Sequence, residues 1–156
     1  MNSIQKKISH PNFIIAGAAR CGTTSLYHYL NQHPEIGFAE RKEPSYLASH
    51  AQKFPHNGPG DWTYDRNVHR HLKEYNSLYS KLPDYEMVGD ASTNTFFYYK
   101  DSIRVIKKLL GDIPVIIIIR NPVETVASAY SYLVRDGREK LCFSEAFSES
   151  VERFNS

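Results

Sequence analysis

Residues 17–24 read GAARCGTT and have the spacing of a phosphate-binding loop, G-x-x-x-x-G-[KT]-[ST]. The segment follows a short apolar run, residues 13–16, and leads into a helical pattern. Glycines in such a loop let backbone N–H groups converge on an anion, which the N-terminus of the following helix also attracts. We therefore predict that this segment binds a phosphate-type group.

Thr23 occupies the position at which nucleoside triphosphatases carry a lysine. Without that lysine, most of the binding to terminal phosphates would be lost. Arg20 instead provides a cation inside the loop, and the hydroxyl groups of Thr23, Thr24 and Ser25 follow it. The clearest predicted strand ends in Arg120 rather than in an acidic residue that could hold magnesium. The sequence thus predicts nucleotide binding without a metal ion.

The elements around this loop predict one α/β domain over residues 1–156, with a central parallel sheet in an α/β/α three-layer arrangement. Apolar runs predict strands at 13–16, 36–39, 85–89 and 114–119. Helical patterns cover 23–33, 68–79, 103–110, 122–134 and 144–154, and a short helix follows Pro44. The β-branched run 114–119 is typical of a strand at the centre of a parallel sheet. Glycine and proline predict a loop within 49–65.

Polar segments follow three of the predicted strands, at residues 17–24, 90–94 and 120–128. Ligands of an open parallel sheet bind beyond the carboxyl ends of its strands, so we expect these segments to converge on one crevice. The alternative is that each segment only caps a helix, and for the segment that begins at Asp90 this alternative stays open.

Two of these segments resemble the nucleotide-binding motifs of the sulfotransferases that use 3′-phosphoadenosine 5′-phosphosulfate (PAPS). Residues 20–26 match the 5′-phosphosulfate motif [KR]-x-G-T-[TS]-x-L. Residues 120–130 match R-[DN]-P-x-x-x-x-x-S-x-Y, in which the arginine and the serine bind the 3′-phosphate. The segments HPEI, KEPSYL and GDAST are similar to the carbohydrate-modifying and bacterial branches of that family.

The resemblance implies a P-loop NTPase-like sulfotransferase fold and an enzyme that moves a sulfuryl group by in-line displacement. The acceptor would be a hydroxyl group of a carbohydrate or a small alcohol, and no metal would be required. The implied donor-binding residues are Arg20, Cys21, Gly22, Thr23, Thr24, Ser25, Arg120 and Ser128. Glu43 matches the position of a general base in heparan-type sulfotransferases, and Arg20 and Lys42 would stabilise charge during transfer. A surface ion pair of Glu43 with Arg41 or Lys42 is the alternative, and Asp90 is a second candidate for the base or for orienting the acceptor.

Composition argues against several other classes. The net charge is +2 with acids and bases interspersed, which does not favour a nucleic-acid partner. The longest apolar run, residues 115–119, is too short to span a bilayer, and residues 1–12 lack the apolar core of a signal peptide. We expect a cytoplasmic protein without a membrane partner, in which Cys21 and Cys142 are reduced thiols.

The resemblance also bears on how much of the family domain this sequence covers and on which other functions are possible. Family domains usually continue further, so the resemblance implies an N-terminal portion that lacks another strand and a basic, glycine-containing loop. A non-catalytic remnant that binds nucleotide is one alternative function, and a P-loop kinase or triphosphatase is another, against which Thr23 argues.

The aromatic residues of 62–64 and 96–99 are expected mainly in the core, with a wall of the acceptor site as the alternative. His56, His69 and His71 are expected at the surface rather than in a zinc site.

Overall fold

A computed structural model describes residues 10–155, with side chains except at 151 and 153–155. Residues 1–9, most of the segment predicted to lack a signal-peptide core, lie outside the described range. The described elements are β1 (Phe13–Gly17), α1 (Thr23–Leu30), β2 (Ile36–Phe38), α2 (Tyr46–Ser49), α3 (Asp61–Asn67), α4 (Leu72–Tyr79), β3 (Met87–Asp90), α5 (Asn94–Phe97), α6 (Tyr99–Leu109), β4 (Val115–Ile117), α7 (Pro122–Arg135) and α8 (Phe143–Asn155). No described helix is both long and apolar enough to cross a membrane.

The four strands form one sheet in the order β2-β3-β1-β4, and every neighbouring pair is parallel. The predicted α/β architecture with a parallel sheet is confirmed. Because all strands run the same way, the loops that follow them emerge at a single edge of the sheet. This arrangement brings distant parts of the chain together.

Strand β1 is the centre of the core. Its five residues are all buried, and their side chains alternate between the two faces of the sheet. Ile14 and Ala16 pack into a cluster with residues of α2, α4 and α6, whereas Phe13 and Ile15 pack with Tyr27 of α1 on the other face. Helices therefore cover both faces of β1, as the three-layer prediction requires.

The prediction that residues 114–119 form a central strand is wrong. Strand β4 is shorter and lies at the edge of the sheet, where it pairs with β1 alone among the described strands. Val115 and Ile117 are 46% and 49% exposed. The β-branched run favours an extended and apolar strand, but burial also requires elements that pack on the faces of the strand, and the described residues leave the face of β4 with Val115 and Ile117 exposed.

Two of the other boundaries that differ from the sequence-based expectation have a local backbone cause. Helix α3 begins inside the predicted loop, directly after Gly60, whose φ of 78° permits the sharp turn. Helix α4 starts at Leu72 rather than near Val68, because Val68 and His71 have extended backbone conformations that cannot continue a helix.

Candidate active site

The segments that follow all four strands converge on a cavity of about 490 Å³ at the carboxyl edge of the sheet. This meets the expectation that the polar strand ends share one crevice, and the loop after β2 joins them. The cavity is lined by Ala19, Arg20, Gly22, Thr23, Thr24, Glu43, Thr93, Arg120, Ser128 and Tyr132.

The loop between β1 and α1 presents a helix N-terminus to this cavity. Gly22 precedes α1 with a φ of 96°, a conformation that favours glycine. No side chain caps this end of the helix, so its first N–H groups remain available to an anion. Gly17 permits a close approach of the β3 loop, because a Cβ atom there would lie 2.9 Å from the Thr93 carbonyl oxygen.

Arg20 links the two halves of the cavity. Its Nε donates a hydrogen bond to Ser128 Oγ at 3.3 Å, and its guanidinium lies 4.6 Å from the ring centroid of Tyr132. Tyr132 is a cavity residue that the sequence interpretation missed. Its position four residues after Ser128 on the same helix is the signal that could have identified it.

Arg120 and the start of α7 form the opposite wall. Asn121 caps the helix by accepting a hydrogen bond from the Val123 backbone, and Pro122 is its first residue. Arg120 Nε donates to Glu124 Oε2 at 2.8 Å, and its side chain is 44% exposed. The guanidinium is thus held near the cavity by a surface ion pair with the following turn.

Glu43 reaches the cavity from the loop after β2. Lys42 Nζ lies 2.5 Å from Glu43 Oε1, and Thr93 Oγ1 donates to the same oxygen at 3.4 Å. The ion pair considered as an alternative is therefore present, with Lys42 as the partner. Glu43 nevertheless lines the cavity, and the described residues place no hydrogen-bond donor on its Oε2.

A second cavity, of about 580 Å³, adjoins the first and shares Glu43 and Tyr132 with it. It is lined by Arg41, Lys42, Glu43, Ser45, Gly60, Trp62, Thr63, Tyr64, Asn67, Val68, Tyr132, Asp136 and Arg138. Trp62 is 67% exposed, so the expectation that it packs in the core is wrong. Arg138 closes one side through an ion pair with Asp61 and a hydrogen bond to the Pro59 carbonyl.

Several residues of the matched motifs do not line either cavity, among them Cys21, Ser25 and Tyr130. Cys21 Sγ lies 3.4 Å from the Ala19 carbonyl oxygen and 3.8 Å from Thr125 Oγ1. Ser25 is exposed on α1. Tyr130 donates to the Leu141 carbonyl at 3.0 Å and so ties α7 to the segment before α8.

Asp90 lies beneath the site, not in it. Its carboxyl group is buried and accepts hydrogen bonds from Tyr75, Tyr79 and Ser92. Burial raises the pKa of Asp90 above its usual value, and the hydrogen bonds from the three hydroxyl groups offset this rise only in part. This position does not suit the role of acceptor base that we considered for Asp90. The described residues also contain no group of three or more His, Cys, Asp or Glu side chains that could hold a metal ion.

Known proteins are similar to this chain, one of them in fold and others in sequence. A sulfotransferase of known crystal structure from Alicyclobacillus acidocaldarius is 36% identical with a TM-score of 0.89, over 94% of this chain and 59% of that chain. Human carbohydrate sulfotransferase 15 is 25% identical over 177 residues, which cover 94% of this chain and 31% of that protein. Membrane-associated sulfotransferase kil1 of Dictyostelium discoideum is 26% identical over 133 residues, covering 83% and 24% respectively.

The chain thus spans less than a third of the length of these curated relatives. Residues 11–155 match the sequence model of the sulfotransferase family. This match and the fold set aside the alternative of a kinase or triphosphatase, which Thr23 already disfavoured. The chain belongs to the sulfotransferase family.

Proposed function

We propose that this chain binds PAPS and transfers its sulfuryl group to a hydroxyl group of a carbohydrate. The observation that carries the proposal is the contact between Arg20 and Ser128, which joins the two anion-binding motifs in one cavity across 108 residues of sequence. A donor with phosphate groups at both its 5′ and 3′ positions requires two such anion-binding regions close together.

The 5′-phosphosulfate is assigned to the N-terminus of α1. Arg20, Thr23 and Thr24 line the cavity beside this uncapped helix end, so their guanidinium and hydroxyl groups and the helix N–H groups would contact the anion. Helix N-termini favour anions, and an arginine adds a formal charge to that attraction. Cys21 in the loop and Ser25 in the first turn of α1 would act through their backbone, because neither residue lines the cavity.

The 3′-phosphate is assigned to Arg120 and Ser128. An arginine side chain can pair with two phosphate oxygens at once, and a serine hydroxyl can donate one further hydrogen bond. In the structure Arg120 is paired with Glu124, so the phosphate would have to replace that contact. The 3′-phosphate is the group that distinguishes PAPS from ATP.

Glu43 is proposed as the general base. The acceptor oxygen attacks the sulfur of the sulfuryl group on the donor. The bond between that sulfur and the 5′-phosphate oxygen breaks, and its electron pair stays on the phosphate oxygen. Glu43 Oε2, which has no donor among the described residues, takes the acceptor proton. Arg20, Lys42 and the α1 N–H groups stabilise negative charge on the sulfuryl oxygens and on the departing phosphate.

The second cavity is the proposed acceptor site, because Glu43 stands between it and the donor cavity. Exposed Trp62 offers an apolar ring face, and hydroxyl, amide and charged groups surround it. A sugar presents the matching combination of apolar ring face and hydroxyl groups. The carbohydrate sulfotransferase named among the relatives supports the same acceptor class.

Calorimetric titration combined with a sulfate-transfer assay tests this function. 3′-Phosphoadenosine 5′-phosphate should bind at least tenfold more tightly than adenosine 5′-phosphate, and ATP with magnesium should not compete with it. Transfer from PAPS to an oligosaccharide should then be measurable. Equal binding of the two adenosine nucleotides would contradict the roles of Arg120 and Ser128. Tight binding without turnover on any acceptor would instead support the non-catalytic nucleotide-binding alternative.

A further inference from the structure

Three described residues other than glycine have a left-handed backbone, and all three lie at the candidate site. They are Arg20, Glu43 and Ser45, with φ values of 63°, 62° and 59°. This conformation is sparsely populated for residues with such side chains and persists only where the surroundings enforce it. The bend 43–45 therefore needs contacts that hold it in place.

One of these contacts comes from the segment that follows β3. The Ser45 backbone N–H donates to Ser92 Oγ at 3.0 Å, and Ser92 Oγ donates to Asp90 Oδ1 at 2.6 Å. A serine hydroxyl has one proton, so its donation to Asp90 turns an oxygen lone pair toward the Ser45 amide. All three residues are almost completely buried, where an unpaired polar group is costly.

The other carboxyl oxygen of Asp90 is also held. Asp90 Oδ2 accepts from Tyr75 at 2.8 Å and from Tyr79 at 3.3 Å. Tyr75 stacks on Tyr46 at 4.6 Å, and Tyr46 directly follows Ser45. The contacts form a closed ring that runs from Asp90 through Ser92, Ser45, Tyr46 and Tyr75 back to Asp90. A shift of one member therefore disturbs the others.

We propose that Asp90 and Ser92 are positioning residues that fix the bend 43–45 and so keep the Glu43 carboxylate between the two cavities. The catalytic consequence rests on the proposed function, whereas the structural link does not. Thr93, the next residue after Ser92, donates to Glu43 Oε1 at 3.4 Å. The same short segment thus contacts both the backbone of the bend and the proposed base.

Ser92→Ala and Ser102→Ala form a matched pair. Both serines are fully buried, and the Ser102 hydroxyl has no hydrogen-bond partner among the described residues. Ser92→Ala should speed hydrogen exchange of the Ser45 amide by about tenfold or more, relative to the amides of β3. Ser102→Ala should leave that exchange unchanged. This measurement by NMR is independent of activity.

In the transfer assay Ser92→Ala should lower kcat by about 10–100-fold with little change in KM for PAPS, because the base is displaced while donor contacts remain. In a Glu43→Gln background the same change should have no further effect. Asp90→Asn, which keeps the side-chain size but replaces an acceptor oxygen with a donor, should show the same dependence on Glu43 and serves if Ser92→Ala does not fold.

Unchanged exchange of the Ser45 amide would overturn the structural link. An equal loss of kcat with and without Glu43 would overturn the positioning role, since a general loss of structure would act in both backgrounds. If the unaltered protein transfers no sulfate, the proposed function fails, and the exchange measurement alone still decides whether Asp90 and Ser92 hold the bend.

Discussion

The two halves of the candidate site differ in how deeply the elements that carry them are buried. The first half comprises the loops after β1, β2 and β3, which carry Arg20, Glu43 and Thr93 and stand directly on the core. The second half is the β4–α7 segment with Arg120 and Ser128, which follows a solvent-exposed edge strand, whereas β2 at the opposite edge is largely buried. Ile15 is fully buried in β1, whereas Ile117 of β4 is 49% exposed, and α7 has no buried residue.

This difference separates two tasks. Catalysis requires the reacting groups to be placed within fractions of an ångström, and the first half holds Glu43 through a buried ring of contacts. Recognition of a 3′-phosphate needs mainly an accessible cation and a hydroxyl group, which an exposed helix start can provide. Substitutions should therefore affect turnover in the first half and affinity in the second.

The largest effect is expected from Glu43→Gln. The amide keeps the size of the side chain but cannot accept the acceptor proton, so kcat should fall by about 10²–10⁴-fold. Affinity for 3′-phosphoadenosine 5′-phosphate should change less than about twofold by calorimetry. Glu40→Gln, at an exposed position three residues earlier, is the control and should keep full activity. Full activity of Glu43→Gln would remove this residue from the mechanism.

A pair of isoleucine substitutions tests the contrast in packing directly. Ile15→Ala should lower the free energy of unfolding by about 2–5 kcal/mol, because it empties a fully buried site. Ile117→Ala should cost less than about 1 kcal/mol, since half of that side chain already contacts solvent. Urea denaturation measures both values. Similar losses at the two positions would mean that β4 is covered in solution.

Arg120→Ala should change affinity and leave the fold intact. Loss of a charge-assisted contact is worth roughly 1.5–3 kcal/mol, so 3′-phosphoadenosine 5′-phosphate should bind about 10–100-fold more weakly. Adenosine 5′-phosphate, which lacks the 3′-phosphate, should bind as before. Arg104→Ala is the matched control, because Arg104 is an exposed arginine paired with Asp101 on α6. An equal loss for both nucleotides would show that Arg120 does not recognise the 3′-phosphate.

Both motifs of the site are visible in the sequence because they depend on short-range geometry. Gly22 permits the turn into α1, and Asn121 with Pro122 starts α7, so the residue types themselves indicate where each loop ends. The parallel sheet then brings these loops to one edge. The strand ends and the cavity that they share could therefore be predicted without any knowledge of tertiary contacts.

The remaining features depend on contacts between distant residues. The hydrogen bond from the Ser45 amide to Ser92 spans 47 residues, and no sequence pattern around either residue predicts this contact. The exposure of Ile117 likewise reflects which elements pack on the faces of β4, a property that its β-branched sequence does not contain. The sequence predicts Trp62 in the core because aromatic residues are usually buried, yet it is exposed and lines a cavity.

The smallest expected effect concerns the ion pair that holds Arg120 in the exposed half. Glu124→Gln removes a surface contact worth at most about 1 kcal/mol, and it also removes a negative charge beside the proposed 3′-phosphate position. Affinity for 3′-phosphoadenosine 5′-phosphate should therefore rise by about two- to fivefold in calorimetry at low ionic strength, and the gain should shrink as salt is added. Glu124 then competes with the nucleotide for Arg120. A fall in affinity would carry the opposite meaning, because it would show that Glu124 orients the guanidinium and that the edge half of the site is also preorganised.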